Sequence, residues 1–218
     1  MIKVLSTRLL SKKHEKKLNK KKIIVLNYDF INTNSLSFKL NTINKNLIFT
    51  SKNAVKSVLK FNEIDKSLPV FCVGEKTKIL LQKNNFNVVL CTDYANQLAN
   101  EIITNYKNKS FTFFCGNLRK ETLPKSFNEN NITFNEIKVY ETILTPQKIT
   151  EKVNALLFFS PSLVKSYLQM NTISDEICFC IGTTTAQVLE NKKIKNIIIA
   201  KKPSVENVIN KVINYYKN

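Results

Sequence analysis

The sequence contains no tryptophan, three glycines, two arginines and a single histidine in 218 residues. One histidine excludes a multi-histidine metal site and a histidine relay. That residue, His14, sits in SKKHEKKLNKKK and reads as part of a solvated helix face. The two glycine-rich patterns that cradle phosphates are both missing, which argues against a nucleotide loop. No CxxC pair occurs among Cys72, Cys91, Cys115, Cys178 and Cys180, and four of these lie in apolar segments, so structural thiols are expected. No run approaches the roughly 20 apolar residues of a membrane span. The opening MIKVLSTRLL lacks a signal peptide's apolar core and cleavage site. A cytoplasmic protein without a membrane segment is the expectation.

What is present is a large hydrophobic fraction, 43%, enough to offset ordering entropy by burial. Basic residues number 34 against 16 acidic ones, a net charge of +18. Such an excess draws polyanions, whether nucleic acid, membrane surfaces or a polyacidic small molecule. A general drift toward Lys, Asn and Ile accounts for it equally well. Apart from Lys12 to Lys22 the lysines are dispersed and no reader motif appears, so nucleic acid is not an expected partner.

Internal similarity organises the chain. Around Ser51 and Ser160, Phe49, Val55, Lys56, Ser57 and Leu59 recur as Phe158, Val164, Lys165, Ser166 and Leu168. VFCVGEKT (Val70 to Thr77) recurs as CFCIGTTT (Cys178 to Thr185), and the segment from Asn87 recurs from Asn196. Each phrase is an apolar run followed by a helical period: Ala54, Val55, Val58 and Leu59 share one face, as do Leu163, Val164, Tyr167 and Leu168. Strand then helix, repeated, predicts right-handed crossovers and parallel sheets. The first copy continues past its third unit into FTFFCGNLRKETL and a strand near Ile132 to Val139. The second copy lacks these, and MIKVLSTRLL with IIVLNYDF supplies them from the other end of the chain. The expected fold is α/β with two similar lobes, each a parallel sheet flanked by helices. A discontinuous lobe spans 1–30 plus 147–218 and a second spans 34–137. A two-stranded antiparallel linker, 27–33 with 138–146, joins them.

The rare residues mark candidate positions. Gly74, Gly116 and Gly182 each follow an apolar strand phrase, where ligands bind in parallel sheets. Glycine there serves either ligand approach or the turn itself. Arg8 and Arg119 follow strand ends at corresponding places, and a planar fork suits carboxylates or phosphates in a way lysine does not. An ordinary surface role is the alternative. Thr50, Ser51 and Asn53 precede one helix, and Ser160, Pro161 and Ser162 precede its counterpart. Thr77 and Thr183 to Thr185, including Thr184, stand at the next junctions. Such residues cap helices, and the same geometry aims orphan N–H groups at anions. Two lobes facing each other with such ends would line a cleft suited to a molecule with many separated carboxylates.

The ordered set IFTSKNAV, FCVGEKT, FFCGNLRKETLP followed by VYET, FFSPSLV and CIGTTTAQVL resembles the uroporphyrinogen-III synthase family across the full chain. The resemblance implies an enzyme, a hydro-lyase that cyclises hydroxymethylbilane, a linear tetrapyrrole with eight carboxylate side chains, to uroporphyrinogen III. A terminal hydroxyl leaves and ring D is inverted through a spiro-type intermediate. It also implies no metal or organic cofactor. Nothing in the sequence demands more than a monomer, and no obligate protein partner is expected. The tyrosine of VYET, Tyr140, becomes the candidate proton donor and Thr77 the next catalytic candidate. Within the matched phrases Ala54 and Asn117 join Arg8, Thr50, Ser51, Asn53, Gly74, Gly116, Arg119, Ser160, Ser162, Gly182 and Thr184 as substrate-binding candidates. A non-enzymatic two-lobed binder of a polyanion is the alternative.

Overall fold

The computed structural model describes residues 1–40, 42–61 and 64–217. The chain begins with β1 (Ile2–Ser6), α1 (Lys12–Asn19), β2 (Ile23–Asn27), β3 (Ile31–Ser35), β4 (Asn46–Phe49) and α2 (Lys52–Phe61). It continues through β5 (Val70–Val73), α3 (Glu75–Lys83), β6 (Val88–Thr92), α4 (Ala95–Asn105), β7 (Ser110–Gly116), α5 (Thr122–Glu129) and β8 (Thr133–Leu144). The last elements are β9 (Ala155–Phe158), α6 (Pro161–Tyr167), β10 (Ile177–Cys180), α7 (Thr183–Glu190), β11 (Ile197–Ile199) and α8 (Val205–Tyr215). Two compact units result, Met1–Asn32 with Ile143–Asn218, and Thr33–Thr142.

In the first unit the strand order is β11-β10-β9-β1-β2, every pair parallel. In the second it is β3-β8-β7-β4-β5-β6, parallel from β8 to β6. With β7 and β8 set in place of β1 and β2, the five-strand orders coincide. The sequence repeat is therefore a repeat of topology, with the chain entering the second sheet at a different strand. Beyond it, β3 lies at the edge beside β8. Leu36 N–H donates to the Val139 carbonyl and Thr145 N–H to the Phe30 carbonyl, at 2.9 and 3.0 Å. Those partners advance in opposite directions along the chain, so the two connecting stretches run antiparallel. The expected strand near 132–139 and the extended stretch after it form one strand of 12 residues, β8.

Two-sided burial explains the unbroken apolar strands. In β4, Leu47 and Phe49 enter one core while Ile48 enters another on the opposite face, and all three are fully buried. Phe49 stacks on its register partner Phe114 of β7 at 5.0 Å, a pair worth about 0.5–1.5 kcal/mol beyond its buried area. All five cysteines are free thiols, four of them buried. His14 differs from the expectation of a solvated face. Its Nε2 lies 3.1 Å from Glu206 Oε2, tying α1 to α8 beside the contact of Lys17 with the same carboxylate.

Burial in the first unit's core pushes the Cys178 and Cys180 thiols from 9.0 to about 12 and the Tyr167 phenol from 10.0 to about 12; the negative charge of Glu176 adds to the effect on Cys178 and Tyr167. The folded chain therefore keeps protons that the unfolded chain releases earlier. Their stabilising contribution is complete below about pH 9 and is lost as pH rises toward about 12. Thermal denaturation should show a level Tm from about pH 7 to 8.5 and a steady fall across about pH 9–12. A Tm unchanged to about pH 11 would contradict the burial argument.

Candidate active site

In an open parallel sheet, ligands bind beyond the carboxyl ends of the strands where the strand order reverses. That reversal falls between β1 and β9 in the first unit and between β7 and β4 in the second. In the first unit this edge carries Arg8 after β1 and Ser160 after β9. The Ser160 hydroxyl accepts from Leu163 N–H at 3.3 Å, capping α6, and lies 2.9 Å from the Ser162 hydroxyl. Pro161 fills the first helical position, where its missing N–H costs nothing. Thr7 closes the floor between the strands, its hydroxyl donating to the Leu157 carbonyl at 2.7 Å. The Arg8 guanidinium lies 5.8 Å from the centre of the Phe159 ring. Among the described residues no carboxylate stands within ion-pairing distance of it. Asp29 lies near enough for Arg8 to oppose the upward push that partial burial gives its carboxyl.

Gly182, Thr183 and Thr184 form the neighbouring junction, from β10 to α7, with both threonines exposed. The φ of Gly182 is −174°, ordinary extended backbone, and a Cβ there would meet nothing within 4 Å. Neither the turn nor the packing requires this glycine. Gly74, its counterpart before α3, has φ +86° and ψ 132°, a conformation that side chains other than glycine resist. Thr77 follows in the first turn of α3, 5% exposed, with its N–H bonded to the Gly74 carbonyl at 2.9 Å.

The second unit's edge is organised around Tyr140. The β7–β8 register pairs Cys115 with Lys138 but Gly116 with Tyr140, so β8 carries one extra residue. This bulge turns Tyr140 to the same side as Ile137 and Val139, over the core that contains Phe49 and Phe114. Its ring lies directly on Gly116, where an added Cβ would overlap the ring at Cζ. The glycine is thus an answer to the protein's own tyrosine. Asn117 N–H donates to the Tyr140 carbonyl at 3.3 Å, and the Asn117 side chain both donates to the Thr142 carbonyl and accepts from Thr142 N–H. Burial raises the Tyr140 phenol above its ordinary 10.0, opposed by a hydrogen bond with the Ser51 hydroxyl. Ser51 in turn accepts from Asn53 N–H at 3.1 Å at the start of α2. Thr50 and Asn53 are half-buried beside it, while Ala54 is fully buried in the core.

Arg119 has its fork occupied. Nε and Nη2 meet the two oxygens of Glu136 at 2.5 and 2.8 Å, and Nη1 meets Glu121 at 2.5 Å. Both carboxylates hold its pKa above the usual guanidinium value. A cavity of about 450 Å³ runs beside this network, lined by Cys115, Gly116, Asn117, Glu136 and Lys138 as well as Arg119 and Glu121.

Comparison with known proteins decides the family. Residues 13–210 match the model of uroporphyrinogen-III synthase HemD. The chain belongs to the uroporphyrinogen-III synthase family. Its fold is similar to that of uroporphyrinogen-III synthetase from Helicobacter pylori 26695, with TM-score 0.76, 24% identity and 99% and 100% of the two chains covered. It is also similar to a mutant uroporphyrinogen III synthase from the extreme thermophile Thermus thermophilus, with TM-score 0.71, 12% identity and 100% and 98% covered. As a uroporphyrinogen-III synthase it is a lyase that cyclises hydroxymethylbilane, a step of porphyrin biosynthesis.

For this synthase, several roles escaped sequence reading. Glu136 as a holder of Arg119 and Thr142 as the anchor of Asn117 carry no local signature, since both arrive on a separate strand; Glu121, two residues after Arg119, is the one partner within local reach. The glycine contrast gives a direct test. Gly116→Ala should cost about 1–3 kcal/mol through collision with Tyr140, and Gly74→Ala a similar amount through strain. Gly182→Ala should leave Tm unchanged. Denaturant melts of the three variants check this, and equal losses at all three positions would refute the assignment.

Proposed function

We propose that Tyr140 is the proton donor of the cyclisation and that each unit's strand-reversal edge is suited to binding carboxylates. The observation that carries this reading is the placement of a partly buried, neutral phenol at the carboxyl edge of a sheet, on a glycine and beside the Ser51 hydroxyl. A protonated phenol hydrogen-bonds the departing hydroxyl of hydroxymethylbilane and gives it a proton, so the group leaves as water. As the C–O bond breaks, the electron pair of the adjacent pyrrole nitrogen is pushed through the ring to a double bond with the methylene carbon. This leaves the positive charge on nitrogen and the methylene carbon electrophilic. Ring D attacks that carbon through its substituted α-carbon to give the spiro intermediate. The bond from this α-carbon to the bridging methylene of ring C then breaks. The released methylene bonds to ring D's other α-carbon, which loses its proton and closes the macrocycle. The proton released on closure returns to the phenolate, so water is the only net loss.

The chain's remaining task is conformational, since the free substrate closes to the uninverted isomer. Ser160, Ser162, Thr184, Thr50 and Asn53 present hydroxyl, amide and helix-start N–H donors suited to carboxylates. Arg8, with its open fork, adds a bidentate contact. Thr77 positions the substrate from the first turn of α3. Gly74 and Gly182 let backbone N–H groups approach it, and Gly116, Asn117 and Arg119 act through Tyr140 and the turn after β7. The protein works as a cytoplasmic monomer on a small-molecule substrate, with no nucleic acid or membrane partner.

The test is to give the purified protein hydroxymethylbilane and resolve isomers I and III. Tyr140→Phe should lower the rate of isomer III formation about 10²- to 10⁴-fold; a rate equal to wild type removes Tyr140 from the chemistry. Because burial raises the phenol's pKa, the donor form persists as pH rises. The alkaline limb of kcat should therefore lie above about pH 10, the ordinary phenol value, and a limb near neutrality would point to a different donor. With a polyacidic substrate and a net charge of +18, kcat/KM should fall as salt rises from about 0.01 to 0.15 M.

A further inference from the structure

Single exposed apolar side chains need no explanation on most surfaces, but two in this protein recur at one topological place. Leu9 is 59% exposed and Leu118 is 56% exposed. Leu9 lies in the connection leaving β1 and Leu118 in the connection leaving β7, the two strands at which strand order reverses. Each is next to its unit's arginine, Arg8 or Arg119. Neither belongs to a hydrophobic core.

Both leucines are held outward by anchored neighbours. Ahead of Leu9, the Ser6 hydroxyl donates to the Arg8 carbonyl at 2.5 Å. Behind it, Leu10 is buried and its N–H donates to Asn27 Oδ1 at 3.3 Å. Leu118 stands between Asn117, fixed to Tyr140 and Thr142, and Arg119, whose N–H donates to the Gly116 carbonyl at 3.2 Å and whose side chain is held by Glu136. Each loop is pinned on both sides of its leucine, so the exposure is a feature of ordered backbone.

We infer that Leu9 and Leu118 are substrate-contact residues that cover pyrrole ring faces of the linear tetrapyrrole. The inference rests on the reaction assigned above. The donors at these edges suit carboxylates, yet each pyrrole ring of this substrate is flat with largely apolar faces, and those faces gain from apolar contact. A leucine against the ring next to the departing hydroxyl also keeps water from the electrophilic methylene carbon.

The experiment compares Leu9→Asn and Leu118→Asn with Leu9→Met and Leu118→Met. Each Asn variant should raise KM for hydroxymethylbilane about tenfold and increase the share of isomer I, because substrate released early closes by itself. Tm should stay within about 2 °C of wild type, since these side chains pack into no core. The Met variants should keep near-wild-type KM and isomer share. Unchanged KM and isomer share in both Asn variants would overturn the inference, as would a loss explained by a lower Tm. If wild-type protein forms no isomer III above the spontaneous background, the reaction assignment fails instead. Equilibrium binding of uroporphyrin, followed by its fluorescence, then decides the leucines separately: weaker binding by the Asn variants supports the contact and equal binding refutes it.

Discussion

The reversal of strand order beside β1 and β7 governs the rest of this protein. A parallel sheet needs a crossover for every strand, and where successive crossovers leave in opposite directions two loops part and open a crevice. Both units make that reversal once, at equivalent strands. The residues that differ from the chain's Lys- and Asn-rich background gather there: both arginines, the serine-rich starts of α2 and α6, and Gly116. Most of these residues sit in loops and helix starts, with Gly116 at the carboxyl end of β7 and its register partner Tyr140 on β8. Central strands such as β4 and β9 stay largely apolar, the division of labour expected when a buried scaffold positions exposed groups.

Within the second unit, one added residue in β8 does what no side-chain substitution would. Without the bulge, Tyr140 would project to the opposite face of the sheet, toward the side of Glu136 and Lys138. With it, the phenol reaches Ser51 and lies on Gly116. Asn117 then continues the ladder with its own side chain, bonding Thr142 in both directions where regular pairing has been lost. Bulge, glycine and asparagine form one device. Each makes sense only with the other two, and the outcome is a phenol whose orientation is over-determined.

The parallel α/β plan was legible because its signals are local: unbroken apolar runs, helical faces such as Ala54, Val55 and Val58, and a repeated phrase. The site was legible only as far as its residues lie close in sequence. Gly116 reads as clearance for a ligand or as a requirement of the turn because nothing near it in sequence announces that Tyr140, far along the next strand, will lie on it. Arg119 reads as an open fork for the same reason, although Glu136 engages it across a strand pair. His14 reads as solvated because its partner, Glu206, is on a helix at the other end of the chain. In each case the missing information is a tertiary register, which composition and periodicity do not carry.

The two arginines, equivalent by position, therefore differ in electrostatic role. Arg119 is neutralised by two glutamates and holds a turn in place; Arg8 leans on Phe159, with no carboxylate paired to it among the described residues. A polyacid approaching the second unit's edge meets neutral donors and the exposed Lys138, whereas at the first unit's edge it meets a planar cation whose fork is open. That asymmetry matters for a substrate whose two ends must be told apart, because only one end carries the departing hydroxyl. The proposed proton donor belongs to the edge with the neutralised arginine, where no open guanidinium would compete for a leaving oxygen or stabilise phenolate prematurely. The open guanidinium of Arg8 belongs to the other edge, where its proposed role is to bind carboxylate without chemistry.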